Sequence, residues 1–214
     1  MPETSRGYEI AGDEFESWVM AETDDWICID KPPMVVCHPS KQGPTSSLAG
    51  AVRFYRGLEA SHLVFRIDRE TSGIVLVATA REAASRLQRA VGGPLVHKDY
   101  IAILTGELSG KVTVNAPLGR DLDSPIVAKQ GWRSEDGREA NSVFEPLAVD
   151  RGFTLARVGM MTGRQHQIRA HAEHVGFPLV GDKIYGVPPD IFLTFIEDGW
   201  TDRHEELLAH RRQA

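Results

Sequence analysis

Apolar positions in this chain fall into short runs, most of them alternating with a period of two. Trp18-Val19-Met20 and Trp26-Ile27-Cys28-Ile29 flank the polar Glu22-Thr23-Asp24-Asp25, the pattern of a β-hairpin. Lys31-Pro32-Pro33 stops the second strand, because proline has no N–H for the ladder. Val35-Val36-Cys37-His38 then resumes extended structure before Pro39. From Thr45, a candidate N-cap, Leu48, Ala49, Val52 and Tyr55 recur at helical spacing, and Gly57 ends that helix. An apolar run ending at Phe65 and a second run, Ile74 to Ala78, bracket a short polar turn. Arg81–Val91 reads as an amphipathic helix with Ala84, Leu87 and Val91 on one face, closed by Gly92-Gly93-Pro94. The stretch from Val96 to Gly106 is a strand, with Tyr100, Ala102 and Leu104 on one side and Ile101 and Ile103 on the other. Segments 111–114, 126–129, 141–149 and 153–161 are further strands, and 119–140 reads as a long, mobile hairpin region. A helix from about Arg164 carries Ile168, Ala172 and Val175 on its apolar face and is capped by Gly176. Two short helices follow, around Ile191–Ile196 and from Thr201 through Leu208. Strands outnumber helices without alternating with them, which predicts α+β with a mostly antiparallel sheet.

Composition narrows the class. At 214 residues, 42% hydrophobic and 25% charged, the chain has material for one large domain or two small ones. A net charge of −6 argues against a nucleic-acid binder that works through bulk charge. Yet Arg66, Arg69, Lys98, Arg164 and Arg169 all lie in the segments that carry chemistry, so a basic cleft in an acidic protein is compatible with the sequence. Two cysteines, Cys28 and Cys37, are too few for a disulfide framework and read as buried thiols. The acidic N-terminus is not a signal peptide and no run approaches ~18 apolar residues, which predicts a cytoplasmic protein without a membrane span. Residues 1–17 read as a polar lead-in.

The chemistry centres on Arg66-Ile67-Asp68-Arg69-Glu70-Thr71-Ser72-Gly73. Two arginines beside Asp68 would keep its carboxylate ionised, ready to act as nucleophile, base or ligand. A surface ion-pair cluster explains the same residues. Metal binding by His166, His171 and His174 lacks the spacing of a ligand set. A hydrolase lacks the nucleophile elbow. Thr162-Gly163-Arg164 at a helix start could bind an anion. The remaining reading joins Asp68, Tyr100 beside Lys98, and Arg164 with Gln165, His166 and Arg169. Tyrosine offers a face for a base and a hydroxyl for proton transfer, while arginines neutralise phosphates. That inventory suits chemistry on an extruded nucleobase.

These segments resemble the RluA-type pseudouridine synthases. Residues 66–73 are similar to that family's H-R-L-D-x-x-T-S-G signature, and Lys98-Asp99-Tyr100 to its K-x-Y. Asp30-Lys31-Pro32-Pro33 through His38-Pro39-Ser40 resembles its K-P-x-G…H-P-S segment. Thr162 to His171 with Gly181-Asp182-Lys183-Ile184-Tyr185-Gly186 resembles T-G-R-x-H-Q-I-R-x-H…G-D-x-x-Y-G. The resemblance implies a long mixed, mainly antiparallel sheet with flanking helices and a central RNA-binding cleft. It implies isomerisation of selected uridines in tRNA or rRNA to pseudouridine, with neither cofactor nor metal. By position, Asp68 is the catalytic nucleophile, Tyr100 stacks on the flipped uracil and helps remove the C5 proton, and Arg164 pairs with the Asp68 carboxylate. Arg66, Ile168, Lys98, Arg169 and His166 fall to substrate binding, with Ile168 walling the uracil pocket.

Three departures qualify the match. Phe65 stands where the signature begins with His, and Met34 where K-P-x-G has glycine. The chain stops at Arg211-Arg212-Gln213-Ala214, where the family continues into a further strand, so the domain reads as truncated there. The expected division is a lead-in over 1–22 and a catalytic domain over 23–214, a monomer with no room for an S4-type RNA-binding domain. A catalytically silent RNA-binding protein of the same fold is the alternative.

Overall fold

The computed structural model describes residues 9–38, 43–93 and 96–208, in two compact units, Met1–Val96 and His97–Ala214. Pro39, Ser40, Pro94 and Arg211 to Ala214, all weighed above, lie outside the described residues. The first unit runs α1 (Gly12–Trp18), β1 (Val19–Glu22), β2 (Trp26–Lys31), α2 (Leu48–Tyr55), β3 (His62–Leu63), β4 (Gly73–Ala78) and α3 (Arg81–Val91). Its sheet has the antiparallel order β1-β2-β4-β3. Ile27 and Ile29 of β2 and Val75 and Val77 of β4 share one face and pack with Leu48, Ala51 and Val52 of α2. Positions of the other parity on β4, Leu76 and Ala78, pack with Ala83, Ala84 and Leu87 of α3. The period-two pattern thus buries both faces of β4.

Three details of the first unit depart from the sequence reading. The polar lead-in carries most of α1, whose one buried residue, Phe15, is fully enclosed and stacks on Tyr55 with ring centroids 5.3 Å apart. Ile10 is buried with it. Val35 to His38 forms no strand: Val35 and Cys37 are buried alternately, but the Val36 and Cys37 carbonyls accept the N–H groups of Leu48 and Ala49 at the start of α2. Those amides have no partner within the helix, so the neighbouring segment supplies one. The cap of α2 is Ser47 rather than Thr45, its Oγ accepting from Gly50 N–H at 3.1 Å.

The second unit runs β5 (Lys98–Thr105), β6 (Val112–Asn115), β7 (Leu118–Arg120), β8 (Gln130–Trp132), β9 (Asn141–Asp150), β10 (Phe153–Met160), α4 (Gln167–His174), α5 (Pro189–Asp198) and α6 (Asp202–Leu207). An antiparallel sheet ordered β5-β10-β9-β6 carries α4, with Ala102, Leu104, Phe144, Ala156 and Val158 packed with Ala172. β7 and β8 pair separately. The strand expected at 126–129 is a turn, closed by Lys129 N–H to the Ile126 carbonyl, that feeds β8. The region expected to be mobile, 119–140, is anchored by Ile126 and Ala140, which are buried with Ala170, Ile184 and Tyr185. Together these elements make an α+β protein of mainly antiparallel sheet with flanking helices.

Candidate active site

Asp68 lies half-buried in the loop joining β3 to β4, with Arg66 and Arg69 exposed beside it. Main-chain groups fasten this loop. The Asp68 carbonyl accepts Thr71 N–H at 3.2 Å, and Cys37 Sγ donates to the Ile67 carbonyl at 3.4 Å. The Arg69 carbonyl takes Met34 N–H at 2.7 Å and Lys31 Nζ at 3.2 Å. Lys31 is fully buried, and its ammonium also donates to the carbonyls of Pro32 and Val35, each at 2.9 Å. Three carbonyls match the three donors of an ammonium. Burial pushes its pKa down to about 8, against the pull of Cys37 and of the nearby Asp68 carboxylate. Burial likewise pushes the Cys37 thiol up, so it is a packing group rather than a nucleophile. Met34 has φ 74, which explains why a glycine suits this position: the loop needs a left-handed residue to bring an N–H under Arg69.

In the second unit, Tyr100 sits half-buried on the core-facing side of β5, opposite Val158 of β10, and packs with Ile168 against the same cluster. Lys98, two residues earlier on that face, has its Nζ 3.8 Å from where a Cβ on Gly163 would stand. Tyr100, Ile168 and Lys98 are therefore gathered beside the turn that begins α4.

That turn is built on a closed hydrogen-bond chain. Gln167 Oε1 accepts from Thr162 Oγ1 at 2.8 Å and from Arg164 N–H at 3.0 Å, while Thr162 Oγ1 accepts from Asn141 N–H at 3.0 Å. The Gln167 amide nitrogen donates to the Asn141 carbonyl and to Ser142 Oγ, both at 2.9 Å. Ser142 Oγ lies 3.0 Å from His171 Nδ1, and His171 Nε2 lies 2.9 Å from the Ala116 carbonyl. A carbonyl only accepts, so Nε2 carries the proton and Nδ1 accepts from the serine. Burial lowers the His171 pKa and keeps the ring neutral. With both nitrogens engaged, His171 is a core histidine. Arg164 turns outward from this chain, half-exposed, with its Nε–H on the Glu139 carbonyl at 2.8 Å.

Arg169 is engaged within the second unit. Its guanidinium is buried and grips Asp182 through Nε–Oδ2 at 2.7 Å and Nη2–Oδ1 at 2.8 Å, and it lies 4.8 Å over the Tyr185 ring. It holds the 181–186 turn to α4. Asp182 Oδ1 also accepts the N–H groups of Ile184 and Tyr185 at 2.9 and 3.2 Å. His166, half-buried at the N-cap of α4 with φ 53, has Nδ1 3.0 Å from the Tyr185 hydroxyl. Lys31, Ser142 and Tyr185 carry more of this architecture than their residue types suggest. The only advance signal was that Lys31 and Tyr185 fall within the recognised segments.

Comparison with known proteins decides the family. The model described as RNA pseudouridylate synthase matches residues 25–174, which contain Asp68, Tyr100 and Arg164. The chain belongs to this family. It is 38% identical over 173 residues to the uncharacterized RNA pseudouridine synthase YjbO of Bacillus subtilis, covering 78% of this chain and 60% of that protein. It is 32% identical over 198 residues to the ribosomal large subunit pseudouridine synthase D of Pseudomonas aeruginosa, covering 88% and 61%. These relatives mark it as a synthase homologue of the RluA type, and the chain spans about 60% of their length. Among solved structures, human RNA pseudouridylate synthase domain containing 4 aligns with a TM-score of 0.67 at 19% identity, covering 92% of this chain and 82% of that one. Its counterpart, domain containing 1, aligns with a TM-score of 0.64 at 22% identity, covering 87% and 73%; both show the shared fold. Among the described residues no helix is long and apolar enough to cross a membrane.

Proposed function

We propose that this protein is an RNA pseudouridine synthase that detaches uracil from C1′ of selected uridines and rejoins it through C5. The observation that carries the reading is the family match over 25–174, which spans every residue assigned to the reaction. Asp68 supplies the carboxylate, either attacking the ribose or helping the 2′ proton leave. Its loop is fastened at the Arg69 carbonyl by Met34 N–H and the Lys31 ammonium, a rigid mounting suited to a group that must be oriented. Tyr100, on a strand face beside Ile168, offers a ring to stack on the freed base and a hydroxyl to accept the C5 proton. Arg164 keeps the carboxylate ionised. Arg66 and Lys98 meet the RNA backbone, and Ile168 walls the base.

The substrate is tRNA or ribosomal RNA, and one relative's name, ribosomal large subunit pseudouridine synthase D, makes large-subunit RNA the first to try. Incubation with unmodified tRNA and rRNA transcripts, followed by pseudouridine mapping, tests the assignment. New pseudouridine with the wild type and a loss of at least a hundredfold with Asp68→Asn are expected. RNA binding without turnover by the wild type would instead favour a silent RNA-binding protein. Undiminished turnover by Asp68→Asn would remove the aspartate from its role.

A further inference from the structure

A ring of hydrogen bonds begins and ends on Arg164. Its backbone N–H donates to Gln167 Oε1 at 3.0 Å, and the Thr162 hydroxyl donates to the same oxygen at 2.8 Å. Thr162 Oγ1 in turn accepts Asn141 N–H at 3.0 Å. Two residues before Asn141, the Glu139 carbonyl accepts Arg164 Nε–H at 2.8 Å and closes the ring. Each direction is fixed by a backbone group that can only donate or only accept. Asn141 N–H makes the Thr162 oxygen an acceptor, so the hydroxyl proton goes to Gln167. Arg164 N–H and the Asn141 carbonyl, which takes Gln167 Nε2 at 2.9 Å, set the carboxamide the same way round.

The Thr162 hydroxyl extends a ladder that has run out. Regular pairing of β9 with β10 ends at Ser142 opposite Met160, and Thr162 lies beyond it. There a side chain stands in for a main-chain acceptor of Asn141 N–H, so the stretch that presents the Glu139 carbonyl stays fastened to the turn before α4. With Nε–H committed to that carbonyl, the Nη1–Nη2 edge of the half-exposed guanidinium is the one left to meet an oxyanion. We propose that Thr162 is a positioning residue for Arg164, its hydroxyl holding the guanidinium so that it engages an oxyanion end-on through Nη1 and Nη2. The inference rests on the proposed role of Arg164 in the reaction, but its physical half is separable from activity.

The experiment compares Thr162→Val, which keeps the shape and removes the hydroxyl, with Thr162→Ser, which keeps the hydroxyl and removes the methyl group. On unmodified tRNA and rRNA transcripts, Thr162→Val should lower kcat on the order of tenfold with KM within about twofold, the mark of lost orientation. Thr162→Ser should restore most of the rate. In an Arg164→Ala background, Thr162→Val should cost no further rate, whereas a general loss of folded protein would cost the same factor again. Nitrogen-15 NMR of the whole chain, with Arg164→Ala to assign the signal, reads the physical half. The Arg164 Nε–H should exchange with solvent at least about tenfold faster in Thr162→Val than in the wild type or Thr162→Ser. Should Thr162→Val not fold, Thr162→Ala against Thr162→Ser makes the same comparison. A Thr162→Ser protein as slow as Thr162→Val assigns the effect to packing of the methyl group and overturns the proposal, as does an unaltered Nε–H exchange. If the wild type turns over no RNA, the reading of the activity fails, and the Nε–H exchange still decides what Thr162 holds.

Discussion

Asp182→Asn removes one charge and changes almost no volume, yet it should be among the most destabilising substitutions in the second unit. The Asp182 side chain is completely buried and accepts four hydrogen bonds: Arg169 Nε on Oδ2, and Arg169 Nη2, Ile184 N–H and Tyr185 N–H on Oδ1. An asparagine has one acceptor oxygen and one amide donor. If the oxygen faces the turn, the amide meets Arg169 Nε donor to donor; if it flips, the amide meets two backbone N–H groups. In either orientation the guanidinium, itself nine-tenths buried, loses the Asp182 charge and meets a donor where an acceptor stood. Removing one partner of a buried ion pair costs about 3–5 kcal/mol. With a urea m-value of about 2 kcal/mol/M, the midpoint should fall by roughly 2 M. Equilibrium denaturation followed by tryptophan fluorescence can read this, since Trp132 and Trp200 belong to the second unit. The double variant Arg169→Met, Asp182→Asn removes the donor-to-donor clash and lets the asparagine oxygen serve the turn. It should be more stable than Asp182→Asn alone. A single variant within about 1 kcal/mol of wild type, or a double variant less stable than the single, would refute the account of this pair.

Two further outcomes follow from other buried groups. Burial holds the folded-state pKa of His171 below its ordinary 6.5, so between those values the unfolded chain binds the extra proton and the native protein does not. The second unit should therefore keep its full stability above about pH 6.5 and lose it as the pH falls through that value toward the folded one; His171→Gln should flatten this slope in urea titrations at stepped pH, and an unchanged slope would assign it to another group. At Met34, with φ 74, a left-handed non-glycine residue costs roughly 1–2 kcal/mol, against about 0.5–1 kcal/mol of extra unfolded-state entropy for glycine. Met34→Gly should thus raise the stability of the first unit by about 0.5 kcal/mol in chemical denaturation, and a loss of more than about 1 kcal/mol would show that the Met34 side chain, not its backbone, matters there.

The elements that sequence patterning located well are those whose burial follows a single period. Arg81–Val91 is an α-helix from end to end because Ala84, Leu87 and Val91 repeat on one face and two glycines follow. Strand β5 alternates as expected because only one of its faces meets α4. Patterning failed where isolated residues did the anchoring, as with Ile10 and Phe15 in a mostly polar stretch. It also failed where alternation served something other than a ladder. Val35 and Cys37 are buried alternately, but their neighbouring carbonyls cap α2. The candidate site divided in the same way. Asp68, Tyr100 and Arg164 stand out by residue type and spacing. The groups that hold the Asp68 loop do not, because Arg69 contributes its carbonyl and Lys31 a buried ammonium at a strand end. For Arg169 the residue type shows the charge but not the buried pairing with Asp182.

The segment from Thr162 to His171 sorts by helical geometry into residues that hold and residues that face outward. On α4, Gln167 and His171 lie four apart and both reach Ser142. Ile168, Ala172 and Val175 meet the sheet, Ala170 meets Ile184 and Tyr185, and Arg169 meets Asp182. Only Glu173 and His174 face outward, and Glu173 accepts from Gly186 N–H and Lys129. Almost every face of this short helix is occupied, which leaves the turn before it as the place where new contacts can form. Arg164 and His166 sit there. His166 adopts φ 53, a left-handed conformation that costs a non-glycine residue on the order of 1 kcal/mol and is retained only when its surroundings enforce it. The enforcing groups are in view: Tyr185 at the ring, and the His166 carbonyl accepting Ala170 N–H at 2.9 Å. Substitutions at 167, 169 and 171 are therefore expected to act on folding, and those at 164 and 166 are where the proposed RNA chemistry is to be tested.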